Sequence, residues 1–254
     1  MLYGPHQTDA EKRGIRLIGY DRPGYGGSSS MPGRRVSDVA SDVALIADHL
    51  HLERFALWGF SGGAPHAIAC ASLLPDRVVA AAALASSAPY PSPGLDWLGG
   101  LGEDDARNWR AVMARGAKLD AAFRQAREGL LRVNPEEFSK AFESSLSAMD
   151  RMVLTGELAE FFAASTREGI RPGHEGWMED NLALVSDWGF SPSDVSTPLL
   201  LWHGRQDKMI PFSHGQWLAE HIPNVEKRLS TGDGHLTLFQ NRIPETHAWL
   251  LNRF

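Results

Sequence analysis

The chain has 254 residues, of which 22% are charged, and a formal net charge of −6. This length is enough for one large core with an insertion, and the acidic balance without a basic run argues against nucleic-acid binding. The single cysteine, Cys70, excludes an internal disulfide. No run of 18 apolar residues predicts a membrane span, and the first residues do not resemble a signal peptide. We therefore expect a cytoplasmic protein with neither nucleic-acid nor membrane partners.

The chain begins with a short helical stretch that ends at Arg13. The apolar run over residues 15–18 predicts a buried strand, and residues 21–28, Asp-Arg-Pro-Gly-Tyr-Gly-Gly-Ser, are rich in residues that favour turns. Apolar side chains at helical spacing predict a helix over residues 39–50. The sequence therefore starts in the pattern of a protein in which helices and strands alternate.

Residues 59–63 read Gly-Phe-Ser-Gly-Gly and match G-x-S-x-G, the nucleophile-elbow motif. An apolar strand over residues 54–58 precedes the motif, and an apolar, alanine-rich helix over 64–73 follows it. A strand-to-helix turn this sharp needs small neighbours and a sparsely allowed serine backbone conformation. The pattern predicts that Ser61 Oγ lies at the tip of the turn, where the Gly62 N–H points towards a developing oxyanion.

Three further strands are predicted after the elbow, over residues 78–84, 198–202 and 225–229. The first two are apolar throughout, which is typical of strands buried on both faces of a parallel sheet. Strands that alternate with helices indicate an α/β fold with a mostly parallel sheet and flanking helices.

About a hundred residues between the first and second of these runs give no strand signal and read as helical. The sequence Asn134-Pro-Glu-Glu is one clear helix start. We therefore predict a core formed by residues 1–90 and 195–254 and a helical cap, or lid, over 91–194. Phe60, Trp177 and Trp188 are candidate substrate-binding residues of an apolar pocket under this lid. The alternative is that the aromatic residues of the insertion form only its own small core.

A serine nucleophile needs a base within hydrogen-bond reach and an acid that orients the base. Asp207 follows the strand over 198–202 and His235 follows the last strand, so both lie where ligands bind in such sheets. His203 and His214 are the rivals for the base, and Asp233 is the rival for the acid. No Cys/His cluster or metalloprotease spacing is present, so we expect no metal and no cofactor.

Together, the segment over 21–28, the elbow and the loop Trp202-His-Gly-Arg-Gln-Asp207 resemble those of the α/β-hydrolase superfamily. The likeness covers nearly the whole chain and is to lidded serine hydrolases of the proline-iminopeptidase and esterase type. It implies Ser61, Asp207 and His235 as the catalytic residues. Family members with lids include lactonases, C–C bond hydrolases and cofactor-free haloperoxidases. Those with an aspartate nucleophile, the haloalkane dehalogenases and epoxide hydrolases, do not fit Ser61.

One feature departs from the resemblance. The family normally begins with three further strands, and a His-Gly loop after the third supplies the second oxyanion N–H. This sequence begins with what resembles the helix after that loop. The expectation is that the polypeptide starts upstream of Met1; the alternative is a shortened variant with a rebuilt sheet.

These observations predict a serine hydrolase that cleaves a small, mostly apolar ester, lactone or amide through an acyl-enzyme. A hydrolase-fold binding or regulatory protein without turnover is one alternative. A C–C hydrolase or cofactor-free perhydrolase is another. The expected partner is a small-molecule substrate, and the oligomeric state stays open.

Overall fold

The computed structural model describes residues 1–254. Its centre is a four-stranded sheet in the order β1-β2-β3-β4, in which every pairing is parallel. The strands are β1 (Phe55–Phe60), β2 (Val78–Leu84), β3 (Leu199–Gly204) and β4 (Glu226–Ser230). The predicted parallel α/β fold is therefore confirmed.

Twelve α-helices surround or follow the strands, and none is long and apolar enough to cross a membrane. They are α1 (Gly4–Lys12), α2 (Val39–His49), α3 (Ala64–Leu73), α4 (Glu103–Ala114), α5 (Leu119–Leu130), α6 (Pro135–Ala141), α7 (Ala148–Val153), α8 (Gly156–Gly169), α9 (Glu175–Leu184), α10 (Phe212–His221), α11 (His235–Asn241) and α12 (Ile243–Leu251).

Both faces of the sheet are covered, because side chains alternate between two separate cores along each strand. Leu199 and Leu201 of β3 point into the larger core, which contains Ile68 of α3. Leu200 lies in the second core, together with Ile243 of α12. The middle of β2, residues 80–83, is alanine, so helices on both sides can approach the centre of the sheet closely. The result is a layer of helices on each face, which leaves the carboxyl ends of the strands free to carry a site.

Six helices, α4 to α9, lie between β2 and β3, within residues 91–194, which we call the helical insertion. The predicted helix start is confirmed at α6. The Glu137 N–H donates to Asn134 Oδ1 and the Asn134 N–H donates to Glu137 Oε2, both at 2.9 Å. This reciprocal pair satisfies two N–H groups that the first turn of a helix leaves free.

The predicted strand over residues 15–18 is wrong. These residues are extended but pair with no strand, and the Ile18 side chain is 42% exposed. An extended segment becomes a buried strand only beside a partner that satisfies its N–H and C=O groups. The sheet ends at β1, whose only neighbour is β2, so no such partner is present.

The loop over residues 21–28 lies against the helical insertion. The Gly26 N–H donates to the Gly169 carbonyl at 2.9 Å. Gly24 and Gly176 meet backbone to backbone, since a Cβ on Gly24 would lie 2.6 Å from the Gly176 Cα. Contacts this close accept only glycine, and they fix the loop to the start of α9.

Asp180 of α9 strengthens this contact. Its carboxylate accepts hydrogen bonds from the guanidinium groups of Arg22 and Arg34 and, at 3.1 Å, from the Tyr25 hydroxyl. Burial alone would raise the pKa of Asp180, but the nearby Arg22, His66 and Arg34 charges hold the pKa well below its usual range. A buried carboxylate with two cations therefore joins the insertion to the start of the core.

Candidate active site

Ser61 lies directly after β1, at the turn into α3. Its φ of +53° is the left-handed conformation that most residues avoid. Ser61 begins a short 3-10 turn, Ser61–Gly63, which runs into α3. A Cβ on Gly59 would lie 2.6 Å from the Gly63 carbonyl carbon, so the strand and helix leave room only for glycine there. The turn therefore has the strained backbone and close approach that the elbow pattern predicts.

The structure brings Ser61, His235 and Asp207 into one hydrogen-bonded chain. Ser61 Oγ lies 3.0 Å from His235 Nε2, and His235 Nδ1 lies 2.8 Å from Asp207 Oδ2. With the Nδ1–H donating to the carboxylate, Nε2 is free to accept the serine proton. The imidazole and the carboxylate are buried, with side-chain exposures of 2% and 0%. Ser61, at the outer end of this hydrogen-bonded series, is partly exposed.

The Asp207 carboxylate is held at both oxygens. Oδ1 accepts the N–H groups of Met209 at 2.9 Å and Ile210 at 2.8 Å, which leaves Oδ2 for His235. Burial would raise the pKa of Asp207, but His235, His203 and the Ile210 N–H together hold the pKa below its usual range. The carboxylate therefore stays ionised beside the imidazole.

The two rival histidines have other partners. His203 is fully buried and its Nε2–H donates to the Ile210 carbonyl at 2.9 Å. Burial lowers the pKa of His203, which favours the neutral ring. His214 accepts the Ala88 N–H at its Nδ1 and donates to the Trp97 carbonyl. Neither ring is hydrogen-bonded to Ser61, so both support the loops around the site.

The rival carboxylate, Asp233, also has another partner. It accepts hydrogen bonds from Arg242 at 3.0 and 3.3 Å, and its own carbonyl accepts the Gln206 N–H at 2.9 Å. Asp233 thus joins the loop that carries Asp207 to the loop that carries His235.

Three aromatic residues are candidates for substrate binding. The structure places only Phe60 against the hydrogen-bonded residues, with its ring centroid 4.7 Å from that of His235. Trp177 packs edge-on against Phe123 within the insertion, at 4.8 Å. Trp188 does not line the site. It is 1% exposed and belongs to the larger core, where the small side chains of α3 leave room for an indole.

Sequence reasoning missed Asp150, a fully buried residue of α7. Its carboxylate accepts the backbone N–H groups of His235 at 3.0 Å, Leu236 at 2.7 Å and Thr237 at 3.1 Å. Ser147 and Asp150 have the spacing of a local helix start, and Ser147 Oγ does cap α7. That pattern predicts nothing about a contact with a helix 85 residues away.

No cluster of three or more His, Cys, Asp or Glu side chains has the geometry to hold a metal ion. The site places a hydroxyl beside an imidazole that a buried carboxylate orients.

A family model described as the alpha/beta hydrolase fold matches residues 6–242. The chain belongs to the α/β-hydrolase family. One relative in this family is a pimeloyl-[acyl-carrier protein] methyl ester esterase of Chromobacterium violaceum, 28% identical over 81% of this chain and 70% of its own. Another is a 2-hydroxy-6-oxononadienedioate/2-hydroxy-6-oxononatrienedioate hydrolase of Paraburkholderia phymatum, 25% identical over 87% of this chain and 70% of its own. Hydrolase activity is therefore supported for this α/β hydrolase.

Solved structures of α/β hydrolases share the fold. The enol-lactonase of Burkholderia xenovorans superimposes with a TM-score of 0.67 at 19% identity, over 98% of this chain and 85% of its own. A thermophilic esterase of Thermogutta terrifontis gives 0.66 at 21% identity, over 97% and 84%. At these identities the likeness concerns the fold alone.

Proposed function

We propose that this α/β hydrolase is a serine hydrolase that cleaves a small, mostly apolar ester, lactone or amide through an acyl-enzyme. The observation that carries the proposal is the unbroken chain from Ser61 Oγ through His235 to Asp207, with links of 3.0 and 2.8 Å. Both links are within the reach that proton transfer requires. The strained backbone at Ser61 supports the same role, since strain of this kind clusters at functional sites.

In the proposed reaction, Ser61 Oγ attacks the carbonyl carbon while His235 Nε2 takes the hydroxyl proton. The resulting imidazolium is stabilised by Asp207, and His235 then returns the proton to the leaving group. A water molecule attacks the acyl-enzyme, again with His235 as the base. The Asp207 carboxylate stays ionised throughout, in agreement with its lowered pKa.

The charge that develops on the carbonyl oxygen needs hydrogen-bond donors. We assign the Gly62 N–H, at the start of the turn after Ser61, as one donor. Phe60, which packs against the His235 ring, supplies an apolar wall beside the reacting atoms. An apolar wall of this kind favours small substrates with an apolar acyl group.

Labelling with a fluorophosphonate tests the proposal, because the reagent reacts only with an activated serine. We expect the wild type to be labelled and Ser61→Ala to be unreactive. Ser193→Ala, at an exposed serine remote from the elbow in sequence, is the matched control and should label like the wild type. If the wild type stays unlabelled but binds apolar ligands, a binding protein without turnover replaces the proposal.

A second candidate rests on the relative from Paraburkholderia phymatum. The compound in its name is a dicarboxylate with a ketone and no ester, so its hydrolysis breaks a carbon–carbon bond. The same three residues could serve such a reaction. Turnover of a β-diketone by fluorophosphonate-sensitive enzyme, without turnover of p-nitrophenyl esters, would favour this candidate over the esterase.

A further inference from the structure

We infer that Asp150 of the helical insertion is a positioning residue, which holds His235 in place for the proposed reaction. The inference rests on the proposed function, because it assigns a residue that acts through the base. Its basis is the carboxylate contact with the first three N–H groups of α11, the helix that begins with His235.

The start of α11 lacks a side-chain cap of its own. Its N-cap residue is Gly234, which has no side chain, so the free N–H groups of the first turn need an acceptor from elsewhere. Asp150 supplies that acceptor, and Ser147 Oγ holds the carboxylate through a hydrogen bond to Oδ2 at 2.7 Å. The fit is close. A Cβ on Gly234 would lie 2.6 Å from Asp150 Cγ, so only glycine leaves room for the carboxylate.

The Asp150 carboxylate is fully buried and forms no ion pair with any Lys, Arg or His side chain. Burying a charge is costly, and here only N–H groups, one hydroxyl and the helix dipole offset that cost. A local serine N-cap satisfies such N–H groups without a buried charge. The cap of α11 comes from Asp150 of α7. The position of His235 therefore depends on where the insertion packs against α11.

One hydrogen bond shows how direct this dependence is. Asp150 Oδ2 accepts the N–H of His235 itself, the residue whose ring lies 3.0 Å from Ser61 Oγ. Displacement of α7 would leave this N–H and two others without an acceptor and would release the start of α11. The imidazole would then no longer be held within hydrogen-bond reach of Ser61. Displacements of about 1 Å in such sites cost on the order of 10²-fold in rate.

The test compares three variants. Asp150→Asn keeps the shape but places an amide donor where N–H groups need an acceptor. Ser147→Ala is the mild variant that still folds, since it removes one neutral donor and one helix cap. Asn134→Ala is its matched control, because it removes the equivalent cap of α6 in the same insertion, without contact with α11.

Two quantities are measured: kcat and KM on p-nitrophenyl butyrate, and the downfield proton resonance of the His235 Nδ1–H, identified by its loss in Asp207→Ala. We expect Asp150→Asn to lower kcat by about 10²-fold with little change in KM, and to shift or broaden the resonance. Ser147→Ala should do the same more weakly, and Asn134→Ala should do neither.

An unchanged resonance in both Asp150→Asn and Ser147→Ala would overturn the inference, as would equal effects of Ser147→Ala and Asn134→Ala. The resonance reports the position of His235 without turnover. If the wild type hydrolyses no ester, the proposed function fails, but the resonance still decides whether Asp150 positions His235.

Discussion

Gly59 and Gly63 approach so closely that a Cβ on Gly59 would lie 2.6 Å from the Gly63 carbonyl carbon. The contact is between backbone atoms, which cannot rotate away as a flexible side chain could. It therefore sets the angle at which β1 turns into α3 and the position of Ser61 between them.

Gly59→Ala should destabilise the protein by at least about 2 kcal/mol, since the added methyl group forces the strand and helix apart. Gly62→Ala is the control in the same turn. A Cβ there would meet no atom within 4 Å, and its expected effect on the free energy of unfolding is below about 0.5 kcal/mol. Urea unfolding measures both, and equal effects of the two substitutions would contradict the argument.

Asp207→Asn should lower kcat by about 10⁴-fold and leave the protein folded. The remaining carbonyl oxygen still accepts the N–H groups of Met209 and Ile210, so the new amide nitrogen faces His235. That nitrogen donates to Nδ1 and moves the ring proton to Nε2, which can then no longer accept the Ser61 proton. Steady-state kinetics on p-nitrophenyl butyrate checks the change. A loss below tenfold, with circular dichroism unchanged, would exclude this role of Asp207.

The protein should lose stability in mild acid because burial lowers the pKa values of several histidines. Burial holds the pKa values of His6, His66 and His214 at about 4, against 6.5 for a free side chain. Below pH 6.5 these histidines bind protons in the unfolded chain but stay neutral in the folded protein. The free energy of unfolding therefore falls as the pH drops from 6.5 to about 4, by up to about 1.4 kcal/mol per unit for each histidine.

Urea titrations across this pH range measure the slope. His214→Gln removes one of these buried groups, and we expect the slope to fall by up to about 1.4 kcal/mol per pH unit. A slope that His214→Gln leaves unchanged would show that this buried ring does not govern the acid sensitivity.

Asp180→Ala should cost about 3–5 kcal/mol of unfolding free energy, because it leaves the half-buried Arg22 and the buried Arg34 side by side without an anion. Glu168→Ala breaks the exposed pair with Arg171 and is the control, with an expected cost below about 1 kcal/mol. Urea unfolding of the two variants measures both changes in the free energy of unfolding. A small cost for Asp180→Ala would show that its carboxylate does not join the insertion to the core.

The three side chains of the hydrogen-bonded chain, Ser61, Asp207 and His235, could be located from the sequence because each carries a local signal at the end of a strand. Ser61 has its glycine neighbours, Asp207 follows an apolar run, and His235 follows a weaker strand signal, the last two through short glycine-containing turns. These signals describe how the chain bends, and the bends place the three side chains at one edge of the sheet. The structure gives the links between them as 3.0 and 2.8 Å.

The errors concern features that depend on a distant partner. Residues 15–18 have the composition of a strand, but composition does not provide the neighbouring strand that a ladder requires. An indole such as that of Trp188 is suited both to a pocket wall and to a core. In the structure it packs in the core that contains α3. Asp150 follows a local helix-start pattern, and its contact with His235 exists only once α7 lies on α11.

The contact between the insertion and the loop over residues 21–28 bears on how the protein unfolds. No strand pairing ties that loop to the sheet; Asp180 and the Gly24–Gly176 contact hold it instead. In the same insertion, the Asp150 carboxylate accepts N–H groups at the start of α11. The insertion therefore contacts both the loop over residues 21–28 and the helix that begins with His235, so unfolding of the insertion would release both. Calorimetry should show one cooperative transition, and excision of residues 91–194 should leave no folded remainder.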